Sequence, residues 1–343
     1  MKQPKSHSLL NQAGLTLVEM MVSIAISMTV LSGVVQVLVV SKSSFVTGRE
    51  LSALQENARF ALRFLTDEVR MAGYTGCADS ALYFANVVTG SAGSWYLSGL
   101  GLEGFDYAAG INTFPAEYRA AVIANTDSIV VRRAASTGLR LTANSTTSSG
   151  GTNPSMTLNK AHAYQRGQLF VVTTPNCEQI GLFQMQGPVN SANTATTVQH
   201  QTGTVLPGNC TESLGGNYTC GAGSPTTQSY ASGSSLLEMH SDAYYIGVSG
   251  TDPGVTSLYR ERMLLNSATM SFYTGAEELV QGVENMQILY GLDLEPVISP
   301  DGIADRYKNA GNVGADWDKV VSVRISARMR TVNPVYNENV AYG

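Results

Sequence analysis

The sequence predicts an α+β fold in which one long N-terminal helix packs through its second half on an antiparallel β-sheet decorated by long loops. Three observations carry this. Residues 15–72 contain no proline, and the first part of that stretch is apolar almost all round. Its second part is apolar on one face only. The rest of the chain is set with short β-like runs among Gly, Ser, Thr and Asn, a composition of strands joined by turns.

Residues 1–14 are polar and carry Lys2 and Lys5, and residues 15–40 form an apolar run broken by one charge, Glu19. From residue 20 to 40 the run matches about one membrane thickness of helix, and the basic residues before it keep the N-terminus cytoplasmic. A secretory signal would have a shorter apolar core and a small-residue cleavage site of the A-x-A type. Neither is present. Residues 41–73 continue as an amphipathic helix: Leu51, Leu54, Ala58, Leu62, Leu65, Val69 and Ala72 recur at three- and four-residue steps, with charged residues mostly between them. Gly73 is placed to end it. At about 1.5 Å per residue a single rod over this span approaches ~90 Å. Its apolar stripe is read as the face buried by the protein's own sheet rather than as a coiled-coil surface.

A carboxylate in a membrane segment costs roughly 2.5–3.5 kcal/mol, so Glu19 needs a partner or a function. The residues around it supply a resemblance. Gly14 followed by Leu15-Thr16-Leu17-Val18-Glu19-Met20 resembles the prepilin signature, where a dedicated peptidase cuts after the glycine and methylates the new N-terminus. The usual phenylalanine after the cut is Leu15 here. The resemblance implies cleavage and N-methylation at Gly14 and Leu15, and an assembly contact at Thr16 and Glu19, with the glutamate neutralising the N-terminal amine of a neighbouring subunit. Such a pair acts more as a register check than as glue, because an ion pair gains little over its desolvation while an unpaired buried charge is expensive.

The body, residues 74–343, is expected to be periplasmic. Its four cysteines, Cys77, Cys177, Cys210 and Cys220, lie beyond the apolar segment with no C-x-x-C pair. An even count in an exported body indicates two disulfides, whereas a zinc site tends to need tighter Cys and His spacing. Three connectivities are possible. The short Gly- and turn-rich span between Cys210 and Cys220 favours that local pair and leaves Cys77 with Cys177. Strands are expected at residues 128–132, 168–174, 180–185 and 243–248, and residues 142–154 and 189–230 read as loops or irregular excursions.

The C-terminal third alternates more regularly, at residues 257–262, within 278–291 and at 320–328, as an antiparallel sheet with one wet face does. Residues 279–291, an Asp-rich loop ending in Asp305-Arg306-Tyr307, Trp317 and the 320–328 strand together resemble the PilW kind of type IV pilus minor pilin. That family usually closes with a further basic strand. Here the chain stops at Val340-Ala341-Tyr342-Gly343, so either that strand is absent or the chain is incomplete.

Catalytic patterns are missing from the residue order. His162, His200 and His240 fall in no H-E-x-x-H motif, and neither a P-loop nor a G-x-S-x-G occurs, so no enzyme and no cofactor are expected. Asp293, Glu295, Asp301 and Asp305 with Gly302 could offer carboxylates to calcium, but the spacing departs from the EF-hand and a solvated acidic turn is the expectation. The formal charge of -5, scattered along the chain, provides no basic stripe for phosphates, so direct nucleic-acid binding is not expected.

The resemblance implies a minor pilin that helps initiate type IV pilus assembly within a tip or priming complex, serving adhesion, twitching motility or DNA uptake. The implied partners are other minor pilins, the major pilin, a tip adhesin, the prepilin peptidase and inner-membrane lipid. The alternatives are a J-type minor pseudopilin of type II secretion and an uncleaved membrane-anchored binding module.

Overall fold

A threonine opens the first helix and a glycine closes it. The computed structural model describes residues 16–77, 83–90, 94–97, 101–109, 113–147, 154–188, 194–203, 207–266, 271–294 and 301–333. Helix α1 spans Leu17–Arg70. Its last turn tightens through bonds from the Met71 and Ala72 N–H groups to the Glu68 and Val69 carbonyls. Gly73 then takes φ +74°, a left-handed conformation that glycine adopts without penalty, and its N–H donates to the Arg132 carbonyl at 2.9 Å.

The chain divides into two units, Met1–Ala53 with Asn333–Gly343, and Leu54–Val332. In chain order the strands of the second unit are β1 (Tyr83–Asn86), β2 (Gly101–Phe105), β3 (Ser128–Arg140), β4 (Ser145–Thr147), β5 (Ser155–His162), β6 (Leu169–Thr173), β7 (Gln179–Gln184) and β8 (Ala195–Gln199). There follow β9 (Tyr218–Thr219), β10 (Gln228–Tyr230), β11 (Ser235–Val248), β12 (Thr256–Asn266), β13 (Ser271–Gln281), β14 (Val283–Leu292), β15 (Arg306–Lys308) and β16 (Val320–Met329). The large sheet runs β13-β12-β11-β6-β7-β1-β9, with β3 also on β11 and β2 on β3. A second sheet runs β15-β14-β16, and two ribbons pair β4 with β10 and β5 with β8. Pairing is mostly antiparallel, and the fold is α+β with a single N-terminal helix.

Most expected strands occur, several of them longer than their apolar runs. Residues 243–248 are the end of a 14-residue strand whose earlier positions include Glu238, His240 and Asp242. Two expectations are corrected. The excursions at 142–154 and 189–230 contain β4, β8, β9 and β10, because short polar strands are stabilised by cross-strand pairing that no local apolar period announces. The sheet is also not wholly antiparallel: β1 pairs in parallel with both β7 and β9.

The helix face is rotated from the expected stripe. Ala61 and Leu65 are buried, with Phe64, Val69 and Ala72 packed beside them, while Leu51 and Leu62 are exposed. Phe64 decides this. Its ring meets Tyr244 of β11 edge-on at 5.8 Å and carries the Arg260 guanidinium 5.9 Å above it. Around that contact Ile129, Val131, Leu258, Met286, Ile288 and Tyr290 close the core, each fully buried apolar side chain contributing about 1.5–3 kcal/mol. Tyr290 needs the glycine opposite it, since a Cβ on Gly104 would lie 2.0 Å from its hydroxyl.

Two buried carboxylates join β14 and the turn between β15 and β16 to the rest of the second unit. Asp106 accepts from the N–H groups of Ala310 and Gly311 at 3.0 and 2.7 Å, and Asp127 accepts from Ile288 N–H at 2.9 Å. Burial pushes the Asp127 carboxyl up, opposed by its backbone donors. Neither residue announces this role in the sequence, because a single aspartate in a turn looks the same whether it caps local backbone or reaches a distant strand.

Candidate assembly site

In the first unit the helix presents its apolar side chains outward. Met20, Val22, Ile26, Val30, Leu31, Val37 and Val40 are all exposed, and no residue of the most apolar stretch is buried. The helix is long and apolar enough to cross a membrane. Its hydroxyls are matched to that solvent. Ser23 donates to the Glu19 carbonyl, Ser27 to Ser23, Thr29 to Ile26 and Ser32 to Thr29, at 2.7–2.8 Å. Each O–H spends its donor on the helix backbone, as a hydrocarbon phase requires.

Thr16 and Glu19 form a capping box. The Glu19 N–H donates to Thr16 Oγ1 at 3.3 Å, and Glu19 Oε2 accepts from the Thr16 N–H and hydroxyl, both at 3.2 Å. The carboxylate therefore sits at the positive end of the helix dipole and satisfies an N–H that the first turn leaves without a partner. The T-x-x-E spacing of Thr16-Leu17-Val18-Glu19 carries this signal in plain view. Gly14 and Leu15 lie outside the described residues.

The disulfides are Cys77–Cys177 and Cys210–Cys220, with Cα–Cα distances of 5.8 and 6.1 Å. The first ties the segment after the helix to the β6–β7 turn. The second closes a ten-residue loop anchored on the strand-end backbone, where Cys210 N–H donates to Val87 and Cys220 N–H to Asn86.

The acidic loop turns its carboxylates on its own backbone. Asp293 accepts from Gly302 N–H at 2.8 Å, Asp301 from Ile303 N–H at 2.8 Å and Asp305 from Leu294 N–H at 2.7 Å. Among the described residues no group of three or more His, Cys, Asp or Glu side chains is placed to hold a metal ion; Glu295 lies outside them.

The histidines differ sharply. His162 Nε2 bonds the Thr197 carbonyl at 3.0 Å, and His240 Nε2 lies 3.7 Å from Glu238. His200 is fully buried against Phe183, and burial holds its imidazole down to about 4. A buried neutral base binds fewer protons folded than unfolded between that value and about 6.5, so stability is complete above pH 6.5 and falls as pH drops toward 4. The loss attributable to His200 is about 3 kcal/mol. Urea unfolding at pH 7 and pH 4.5 should show this difference shrinking by about 2–3 kcal/mol in His200→Gln. An unchanged difference would remove His200 as the cause.

Residues 243–342 match the family model described as Type IV Pilus-assembly protein W, and residues 9–35 match the Prokaryotic N-terminal methylation motif. This is a type IV pilus-related, pilin-like protein. No curated protein and no solved structure matches the chain. The two matches fall on the two ends that carry the sequence resemblance. Within the second unit of the pilin-like protein, the W-type segment supplies the end of β11 and all of β12 to β16, hence Tyr244, Leu258, Met286, Ile288 and Tyr290 of the core around α1. Its N-terminal motif with the apolar helix makes it membrane-anchored, implies processing by a prepilin peptidase, and, with the W-type segment, implies interaction with other pilus components. The matched families are structural pilus components.

Proposed function

We propose that the protein is a minor pilin, cut after Gly14 and methylated on Leu15, that helps start fibre assembly as part of a tip or priming complex with other minor pilins, the major pilin and a tip adhesin. The observation that carries this reading is the exposed apolar helix opening on the Thr16–Glu19 box, in the same chain as a W-type segment. A surface apolar all round requires lipid or other helices, and a pilin moves from one to the other. The N-terminus stays cytoplasmic and the body is periplasmic, in keeping with Lys2 and Lys5 before the span and with disulfides after it.

Two measurements test this. Gly14→Leu should leave a membrane-bound precursor of full length, whereas the natural protein begins at a methylated Leu15 by mass spectrometry. Normal mature protein from the variant would refute peptidase processing at this bond. Full-length protein extracted in detergent should also co-purify with the minor pilins of the same organism, and recovery with secretion pseudopilins instead would move it to the type II system.

A further inference from the structure

β2 separates two environments. Leu102 packs beside the core and Gly104 lies against Tyr290, so strand alternation turns Glu103 and Phe105 the other way. There they line a cleft of about 400 Å³ with Trp95, Phe114, Glu117 and Arg119. Its floor is aromatic. Trp95, Phe114 and Tyr118 are buried in one cluster, and the half-buried Phe105 ring packs at its edge, 6.2 Å from that of Phe114. The wall over residues 115–119 is held by its own bonds: Arg119 N–H donates to the Pro115 carbonyl at 3.0 Å, and the guanidinium Nε and Nη2 donate to the Phe114 carbonyl at 2.8 and 2.6 Å.

The polar atoms of the cleft are incompletely used. Glu103 holds the buried Arg132 guanidinium through Oε2 alone, which leaves Oε1 open. Glu117 is exposed, and its carboxylate has no hydrogen-bond or ion-pair partner among the described residues. Trp95 is only 6% exposed, and its indole N–H also meets no acceptor. A buried donor left in that state is rare. Both carboxylates act at one point of the floor, since the charges of Glu103 and Glu117 add to burial in pushing the Tyr118 hydroxyl up. Arg132 and Arg119 balance them, so the cleft has no net charge with which to select an ion.

An aromatic wall, unpaired acceptors and electroneutrality together fit one chemistry. A pyranose sugar carries hydroxyls around its rim and a patch of C–H groups on its face, and those hydrogens sit favourably on the negative face of an aromatic ring. We propose that the cleft binds a pyranose, free or at the end of a glycan, with the Phe105 ring against its apolar face and with Glu103 Oε1 and Glu117 accepting from its hydroxyls. The volume is at the small end of ligand sites and holds one or two sugar rings. An organic cation fits less well, because no carboxylate is in excess. The second unit builds the cleft by itself, so the site stands apart from the tip-complex reading and does not depend on it.

The test uses full-length protein in a sugar-free polyoxyethylene detergent and saturation-transfer NMR with glucose, galactose, mannose, sorbitol and glucosamine. At least one of the three neutral pyranoses should bind with a Kd of about 1–10 mM, and sorbitol, which has the hydroxyls but no ring face, about tenfold more weakly. Phe105→Leu keeps the apolar bulk and removes the ring, and should weaken binding about tenfold. Glu117→Gln changes an exposed side chain without disturbing the fold and should weaken it about threefold. Added salt should leave the affinity unchanged. Methyl glycosides of the bound sugar separate the sources: binding as tight as the free sugar's assigns the cleft to a glycan end, and loss of binding assigns it to a free sugar. No binding of any of the three pyranoses at about 50 mM, sorbitol binding equal to theirs, or an affinity unchanged in both variants would each overturn the proposal. Glucosamine bound far more tightly than glucose, with an advantage that salt removes, would identify a cation site and overturn the sugar reading.

Discussion

Serine at Cys77 or Cys177 is expected to cost about 4–5 kcal/mol of folding stability, against about 2–3 kcal/mol for serine at Cys210 or Cys220. The asymmetry follows from loop length. The first bridge closes a separation of 100 residues and the second a separation of 10, so the first removes far more freedom from the unfolded chain. Set against a typical total of about 5–15 kcal/mol, its loss leaves the body close to unfolding. Placement adds to this, because Cys77 holds the segment that leaves the helix, and the helix supplies Phe64 and Leu65 to the core. Urea midpoints of the four single variants should fall into two groups in that order, and a common midpoint for all four would contradict the chain-entropy account. Non-reducing peptide mapping that joined Cys77 to Cys210 or Cys220 would contradict the pairing.

Glu19→Ala should abolish entry into the fibre or tip complex while membrane insertion and folding of the body survive. Insertion is, if anything, easier without a carboxylate worth roughly 2.5–3.5 kcal/mol at membrane depth. The capping box makes the choice of control decisive. Alanine removes both the charge and the side-chain acceptor of Thr16 N–H, while its own backbone N–H can still donate to Thr16 Oγ1. Glutamine preserves the box and removes only the charge. If the charge neutralises a neighbour's amine, Glu19→Gln should assemble scarcely better than alanine; if the cap is what assembly needs, glutamine should restore it. The ratio of fibre-associated to membrane-associated protein, with pili counted alongside, reads the outcome. Equal ratios in all three forms would show that Glu19 makes no assembly contact, as expected of a subunit with no neighbour above it.

Much of the architecture is legible in residue order. A proline-free apolar run, a shift to one-faced periodicity near residue 41 and a glycine at 73 are local signals, and helices are made of local bonds. The prepilin segment and the W-type strands are legible for a related reason, since each is a contiguous stretch whose residue order is its own signature. The T-x-x-E box is equally local, and only the assignment of Glu19 to a neighbour's amine draws attention away from it.

What residue order could not decide lies in contacts between distant segments. Periodicity places a stripe on the helix but not its exact angle, and the stripe centres on Ala61 and Leu65 because Phe64 finds Tyr244 on a strand far along the chain. Polar strands such as β8 and β10 have no apolar alternation to announce them and exist because β5 and β4 complete their hydrogen bonds. The buried pair Asp106 and Asp127, and the change of partner along β11 from β6 to β12, depend on which backbones meet. The chain's own order thus established a membrane helix with a pilin-like start and a β-rich body, through interactions that span a few residues. Tertiary structure alone chose the buried helix face and the strand partners, because those free energies belong to pairs of segments far apart in sequence.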